Sequence, residues 1–442
     1  MGPDMASANA PALLIAAPAS GSGKTTVTLA LLRAFRRRGI NLGSFKVGPD
    51  YIDPVFHTHA SGTPCFNLDP WAMWRDSQAA ILNHVMRDKE LLIGEGVMGL
   101  FDGARDGTGA TADVAANFQI PVIFVVDAKG QGASVAALLR GFDRYRNDVS
   151  LAGVIFNKVG GPGHIEILNR AANDVNIPAL GFIPKSESLT LNHRHLGLVQ
   201  ARETPDLELF LEKAADIIEE SCDLAAIEKT AGPLPSSSGQ YPFFIPPLAQ
   251  HIAVAEDDAF GFTYPHVLEG WRQSGAELSF FSPLADEAPD QSAAAVFLPG
   301  GYPELYGETL AAAEKFKAGV RAAASENKSV YGECGGFMVL GEALTDKQSK
   351  NHRMLGLLPI ETSFTKPKLH LGYRNAKLNS KCILGNSNDN FSAHEFHYAS
   401  QIKANAVQPL FNISDATGRD LGSAGAVAGS VAGSFIHLID RR

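Results

Sequence analysis

The chain has 442 residues, of which 45% are hydrophobic and 19% charged, and its 38 Lys+Arg against 47 Asp+Glu give a formal charge of −9. At roughly 100–200 residues per domain, this length predicts two or three domains with ample core, and the acidic balance argues against sequence-blind attraction to nucleic acid or anionic lipid. Cys65, Cys222, Cys334 and Cys382 lie far apart with no CxxC spacing, which speaks against a zinc site or disulfide framework and for a reducing cytoplasm; no run reaches the ~20 apolar residues of a membrane span.

Residues 1–10 are small and polar and read as a leader outside the fold. The first apolar run, Leu13–Ala17, is followed by Pro18-Ala-Ser-Gly-Ser-Gly-Lys-Thr-Thr26 and an amphipathic pattern over Thr25–Arg38. Strand, glycine-rich loop and helix in that order make a phosphate cradle: backbone N–H groups converge on oxygens, Lys24 reaches the β/γ-phosphates, and the Thr25 hydroxyl suits Mg²⁺. Ser20, Gly21, Ser22, Gly23, Lys24, Thr25 and Thr26 form the candidate nucleotide loop, with Pro18 standing where the motif has its first glycine. Strand Leu42–Val47 then runs into Gly48-Pro-Asp-Tyr-Ile-Asp-Pro54. Strand Leu91–Glu95 runs into Gly96-Val-Met-Gly-Leu-Phe-Asp-Gly103. Ligands of open parallel sheets bind beyond the carboxyl ends of strands, so Asp50 and Glu95 are candidate Mg²⁺ ligands beside the phosphate loop. Further runs at Val122–Asp127, Val154–Asn157 and Ala179–Ile183, with a helix over Ala133–Arg144, complete a strand–helix alternation that predicts a parallel sheet. Asn157-Lys158 ends a strand, either to meet an adenine edge or simply to start a loop.

Composition shifts at Gly232-Pro-Leu-Pro-Ser-Ser-Ser-Gly-Gln-Tyr-Pro, the make-up of a linker. A second series follows: His251–Ala255, Glu277–Phe281, Ala295–Leu298 and Ser329–Glu333. The last runs into Gly332-Glu-Cys-Gly-Gly336, a cysteine nucleophile elbow whose thiol, at a helix N-terminus, is expected to have a lowered pKa. Gly300, Gly301 and Gly335 are candidate oxyanion donors, because glycine backbone approaches a substrate closely. His437, in Gly433-Ser-Phe-Ile-His-Leu, is the candidate base, with His394 and His397 as competitors. Cysteine, histidine and a Gly-Gly loop describe amide hydrolysis.

Across nearly its whole length the chain resembles the cobyrinic acid a,c-diamide synthase family of glutamine-dependent corrinoid amidotransferases, which includes hydrogenobyrinic acid a,c-diamide synthase. Its markers are the phosphate loop, Lys46-Val-Gly-Pro-Asp-Tyr-Ile-Asp-Pro54, Asn67-Leu-Asp-Pro70, the Glu95–Gly103 loop, Arg194-His-Leu-Gly-Leu198, Leu298-Pro-Gly-Gly-Tyr-Pro-Glu304 and Tyr331-Gly-Glu-Cys-Gly-Gly-Phe-Met338. The resemblance implies an N-terminal P-loop parallel-sheet ATPase domain acting as amidoligase (11–231), a linker (232–248) and a class I glutamine amidotransferase-like α/β domain (249–442). It implies that MgATP phosphorylates the a and c carboxylates of a corrinoid-type macrocycle, and that ammonia from L-glutamine displaces the phosphate. Cys334 would be the nucleophile and His437 its base. Asp50, Ile52, Glu95 and Asp102 match positions concerned with the substrate carboxylates, which competes with Mg²⁺ for Asp50 and Glu95. Ile439 stands where triad glutaminases have a carboxylate, so either a Cys–His dyad works alone or Asp440 substitutes. Cobyrinic acid, hydrogenobyrinic acid and nickel sirohydrochlorin are all substrates of similar enzymes, and a homodimer would suit so large a planar substrate. A cobyric acid synthase-type enzyme is one alternative. A partitioning-type P-loop ATPase is another, but it would lack the cysteine elbow and carry an extra lysine early in the loop.

Overall fold

The computed structural model describes residues 10–186, 189, 193–194, 197–198, 206–235, 245–404 and 408–442. They fall into two compact units that divide at Pro242/Phe243. In the N-terminal unit, β1 (Ala12–Ala16), β2 (Leu42–Val47), β3 (Cys65–Leu68), β4 (Leu91–Glu95), β5 (Val122–Asp127), β6 (Leu151–Val159) and β7 (Ala179–Pro184) form one sheet in the order β3-β2-β4-β1-β5-β6-β7. Every pairing is parallel. The strands are continuous apolar runs because helices cover both faces, and Leu13, Leu14, Ile15, Phe124 and Ile155 are wholly buried. Helix α1 (Lys24–Arg37) starts at the tip of β1, and Arg33 and Arg37 tie it to the Leu207–Ser221 helix through Glu208, Glu212 and Asp216.

In the C-terminal unit, β8 (His251–Ala255), β9 (Glu277–Phe281), β10 (Ala295–Leu298) and β11 (Ser329–Glu333) pair in parallel in the order β9-β8-β10-β11, extended by strands Val431–Ser434 and Ala426–Ala428. Four-stranded and five-stranded sheets follow from residue 343 onward.

Both ends of the 232–248 stretch make contacts within a unit. Gly232 exchanges backbone hydrogen bonds with Ala12 at 2.8 and 2.9 Å, a single antiparallel bridge to the start of β1, while Ile245 O accepts the Trp271 indole N–H at 3.1 Å within the C-terminal unit. Residues 1–9 and 236–244, and the side chains of the Arg194–Leu198 motif, lie outside the described residues. Among the described residues no helix is long and apolar enough to cross a membrane.

Candidate active sites of the two units

The phosphate loop closes on Gly23, whose φ of +91° is left-handed and whose absent Cβ would stand 2.1 Å from Asn157 Nδ2. That amide donates to Ser22 O at 3.0 Å, and Asn157 Oδ1 accepts the Lys158 N–H at 2.9 Å. Asn157 thereby braces the loop. Ser22 Oγ donates to Ala19 O, Thr26 Oγ1 to Leu189 O, and the Lys24 ammonium to Met98 O at 3.1 Å. Ser20 and Gly21 are exposed on the same loop.

Beside the loop lies a buried charge cluster centred on Glu95, which is 0% exposed at the tip of β4. Its Oε1 accepts from the Thr25 hydroxyl at 2.6 Å and the Lys46 ammonium at 2.7 Å, and Oε2 meets His57 Nε2 at 2.6 Å. Lys46 also donates to Asp53 at 2.6 Å, and His57 Nδ1 faces Cys65 Sγ at 3.5 Å. Burial would neutralise these groups, but pairing overrides it. Glu95 is held below the carboxylate range, because Lys46 and His57 outweigh its desolvation. Lys46 is held above its ordinary value because Asp53 and Glu95 outweigh the same penalty. For His57, burial is outweighed by Cys65 and Glu95, and the imidazole is raised to about 10. Lys24 lacks such a partner, so burial and Lys46 lower it.

Of the four residues expected to place substrate, only Glu95 belongs to this cluster. Asp50 Oδ1 accepts the N–H groups of Ile52 and Asp53 at 2.7 and 3.1 Å, closing the turn that leads into the Asp53–Ser61 helix, and burial with Asp53 nearby raises its carboxyl to about 6. Ile52 is buried, and Asp102 Oδ2 accepts the Gly99 N–H at 2.9 Å. Lys46, Asp53 and His57 were not anticipated. The available signal was a lysine inside the apolar run Phe45-Lys-Val47, since a buried lysine demands a carboxylate partner. Glu95 and the Thr25 hydroxyl, 2.6 Å apart, are hard oxygen donors of the kind Mg²⁺ takes with nucleotide phosphates; Asp50, committed to its turn, is a weaker fit.

In the C-terminal unit, Cys334 joins β11 to the Gly335–Leu340 helix with φ +45° and ψ −100°, a strained conformation for a side-chain-bearing residue. Such a turn exposes a nucleophile at a strand tip. The lowered thiol pKa expected from the helix terminus is not realised: burial, with Glu304 adding to it, pushes Cys334 up, and the helix has only six residues. The resting thiol is therefore protonated and needs a base. Gly301 N lies 2.9 Å from where a Cβ on Gly335 would stand, so the candidate oxyanion segments touch; a Cβ on Gly300 would stand 2.3 Å from His437 Cε1. Gly300 O is anchored by the Phe262 N–H and the Cys334 N–H by Ser434 O, each within 2.9 Å. Cys334, Gly300, Gly301, Gly335 and His437 thus gather beyond the carboxyl ends of β10 and β11, interior strands of the sheet.

His437 is 1% exposed, and burial together with His394 and His397 lowers it to about 3. His394 lies opposite it in strand register. His397 stacks on Phe435 at 3.9 Å and on His370 at 4.6 Å. His370, Glu395 and His397 bring ligand atoms within 4.8 Å of one another. The two rings, however, lie 3° from parallel, and Glu395 already accepts from Arg374 at 2.7 Å and pairs with His397 at 2.9 Å. In-plane nitrogen lone pairs of stacked rings do not converge, so this is a polar brace and not a metal centre. Asp440 Oδ1 accepts the Arg441 N–H at 2.7 Å. Glu333 Oε2 is 3.8 Å from His437 Nδ1.

The sequence profile of a CobQ/CobB/MinD/ParA nucleotide binding domain matches residues 13–198, and that of a CobB/CobQ-like glutamine amidotransferase domain matches residues 251–442. With the elbow and the phosphate loop, these define a glutamine-hydrolysing amidotransferase of the ligase class. The chain is 52% identical to the hydrogenobyrinate a,c-diamide synthase of Brucella anthropi (97% of this chain, 98% of the relative). It is 51% identical to that of Rhizobium meliloti (97% and 99%) and 47% identical to that of Mesorhizobium japonicum (97% and 98%). It belongs to the hydrogenobyrinate a,c-diamide synthase family.

Proposed function

We propose that the protein amidates the a and c side-chain carboxylates of hydrogenobyrinic acid, using ATP and glutamine. The observation that carries this reading, and favours the metal-free macrocycle over cobyrinic acid or nickel sirohydrochlorin, is identity of about half the residues over essentially the full length of relatives so named. A carboxylate is a poor acyl donor until one oxygen becomes phosphate. Its oxygen attacks the γ-phosphorus, ADP leaves, ammonia attacks the acyl phosphate, and inorganic phosphate departs with the C–O bond. The Ser20–Thr26 backbone and Lys24 are suited to hold the phosphates. Thr25 and Glu95 would hold Mg²⁺, which when bound offsets phosphate charge. Lys46 pairs with both Asp53 and Glu95, and with His57 it keeps the buried Glu95 ionised.

In the C-terminal unit His437 takes the Cys334 proton, the thiolate attacks the glutamine side-chain amide, and N–H groups of Gly301 and Gly335 face the developing oxyanion. Water then hydrolyses the thioester to glutamate. Purified protein given MgATP and glutamine should convert hydrogenobyrinic acid to a product carrying two amides, read by mass. Unchanged hydrogenobyrinic acid, or turnover of only a metal-containing macrocycle, would overturn the reading.

A further inference from the structure

We propose that Glu333, the residue immediately before the nucleophile, is the acidic positioning residue of the glutaminase centre, orienting His437 through Nδ1 and stabilising the imidazolium formed when Cys334 gives up its proton. The inference rests on Cys334 and His437 acting as nucleophile and base.

A histidine base needs its second nitrogen oriented and its transient charge balanced. The usual place for that carboxylate, two residues after the histidine, holds the buried Ile439. Glu333 reaches His437 through sheet register. It pairs with Ser434 on the neighbouring parallel strand, and the chain then turns through Phe435 so that His437 and Leu438 return to its side chain. Two donors fix one carboxylate oxygen: Glu333 Oε1 accepts from the Tyr331 hydroxyl at 3.1 Å and the Leu438 N–H at 3.2 Å. The second oxygen, Oε2, is the one turned toward His437 Nδ1 at 3.8 Å. That leaves Nε2 to serve the thiol.

The charged and titratable groups around His437 make the need acute. From the Asn390–His397 strand come His394 and His397, which disfavour an imidazolium, and Glu395, which favours one. Glu395 is already balanced by Arg374 and His397. From β11 comes Glu333, near the buried thiol of Cys334. Glu304 also lies near that thiol; among the described residues, no Lys or Arg forms an ion pair with Glu333, which faces His437. Burial raises Glu333 to about 8, against the pull of the Leu438 and Tyr331 bonds, so it ionises as pH rises through that value.

The proton balance is complete. The Sγ–H proton passes to Nε2 as sulfur bonds the amide carbon; Nε2 returns a proton to the departing nitrogen, which leaves as ammonia. Water then adds to the thioester carbon, its proton passing by Nε2 to sulfur as the C–S bond breaks. Nδ1–H faces Glu333 throughout.

The test compares Glu333→Gln, Glu333→Asp and Cys334→Ser in the full chain, with glutamine and with ammonium chloride as nitrogen sources. Glu333→Gln should lower glutamine-dependent kcat about 10²-fold or more, in the range of general acid–base contributions. KM for glutamine and ammonia-dependent amidation should hold, and a rise of kcat through about pH 8 in the parent should vanish; Glu333→Asp should restore part of the rate. An unchanged kcat, an equal loss with ammonia, or a pH limb that persists in Glu333→Gln would overturn the role of Glu333 while leaving Cys334 as nucleophile. Glutamine turnover by Cys334→Ser would remove both readings.

Discussion

Gly300 shows how little room the glutaminase centre allows. A Cβ there would stand 2.3 Å from His437 Cε1, below any real contact, and Gly300 cannot retreat because its carbonyl is anchored by Phe262. Gly300→Ala is expected to displace the imidazole and cut glutamine-dependent turnover at least ten-fold, on the scale at which a small misplacement costs rate. Ammonia-dependent amidation, measured in parallel, should be spared; equal rates with glutamine for variant and parent would show that His437 has another place to go. Lys46 is the corresponding residue in the N-terminal unit. Removing one partner of a buried ion pair leaves uncompensated charge and costs about 3–5 kcal/mol. Lys46→Ala strands Asp53 and leaves Glu95 to His57 and Thr25, so denaturant unfolding should report a loss of that order, and a change within about 0.5 kcal/mol, typical of surface substitutions, would mean that water already reaches the cluster.

At the scale of elements, the tips of β1, β2 and β4 meet because β4 lies between β1 and β2 in the sheet. This brings the phosphate loop, Lys46 and Glu95 together from segments far apart in sequence, and gives the N-terminal unit a pH window. Glu95 is depressed in the folded state, so its contribution is present above its ordinary value of 4.5 and is lost as pH falls. His57 is raised to about 10, so its contribution is full below its ordinary 6.5 and is lost as pH climbs through 10. Thermal unfolding followed against pH should show His57→Gln destabilising most at pH 5–6.5 and converging on the parent above about pH 10; a constant difference would mean that the imidazole is neutral in the fold. The buried parallel strands were legible because each is an apolar run bounded by turn residues. Strand β3 was not, since Asn67 breaks its short run, and the sheets after residue 343 were missed because strands such as His370–Leu378 are largely polar and half-buried, not continuous apolar runs. At the sites, the phosphate loop and elbow were legible as contiguous motifs. The partners of Glu95 and the reach of Glu333 to His437 were not, because strand order and register created them.

For the whole molecule, two units carrying different chemistry predict separable losses. Lys24→Ala should abolish amidation with either nitrogen source, whereas Cys334→Ser should abolish only the use of glutamine; product formation by Lys24→Ala at the parent rate would deny the phosphate loop its role. Cys334 also sets folding against turnover. Its backbone, at φ +45° and ψ −100°, is comfortable only for glycine, and conformations of this kind cost roughly 1–3 kcal/mol in other residues. Elsewhere glycine is about 0.5–1 kcal/mol worse than alanine in regular structure. Here the order should invert, with Cys334→Gly melting above Cys334→Ala in calorimetry although both are inert toward glutamine. A chain selected for endurance alone would keep glycine at this corner; cysteine holds the position only while the reaction is under selection.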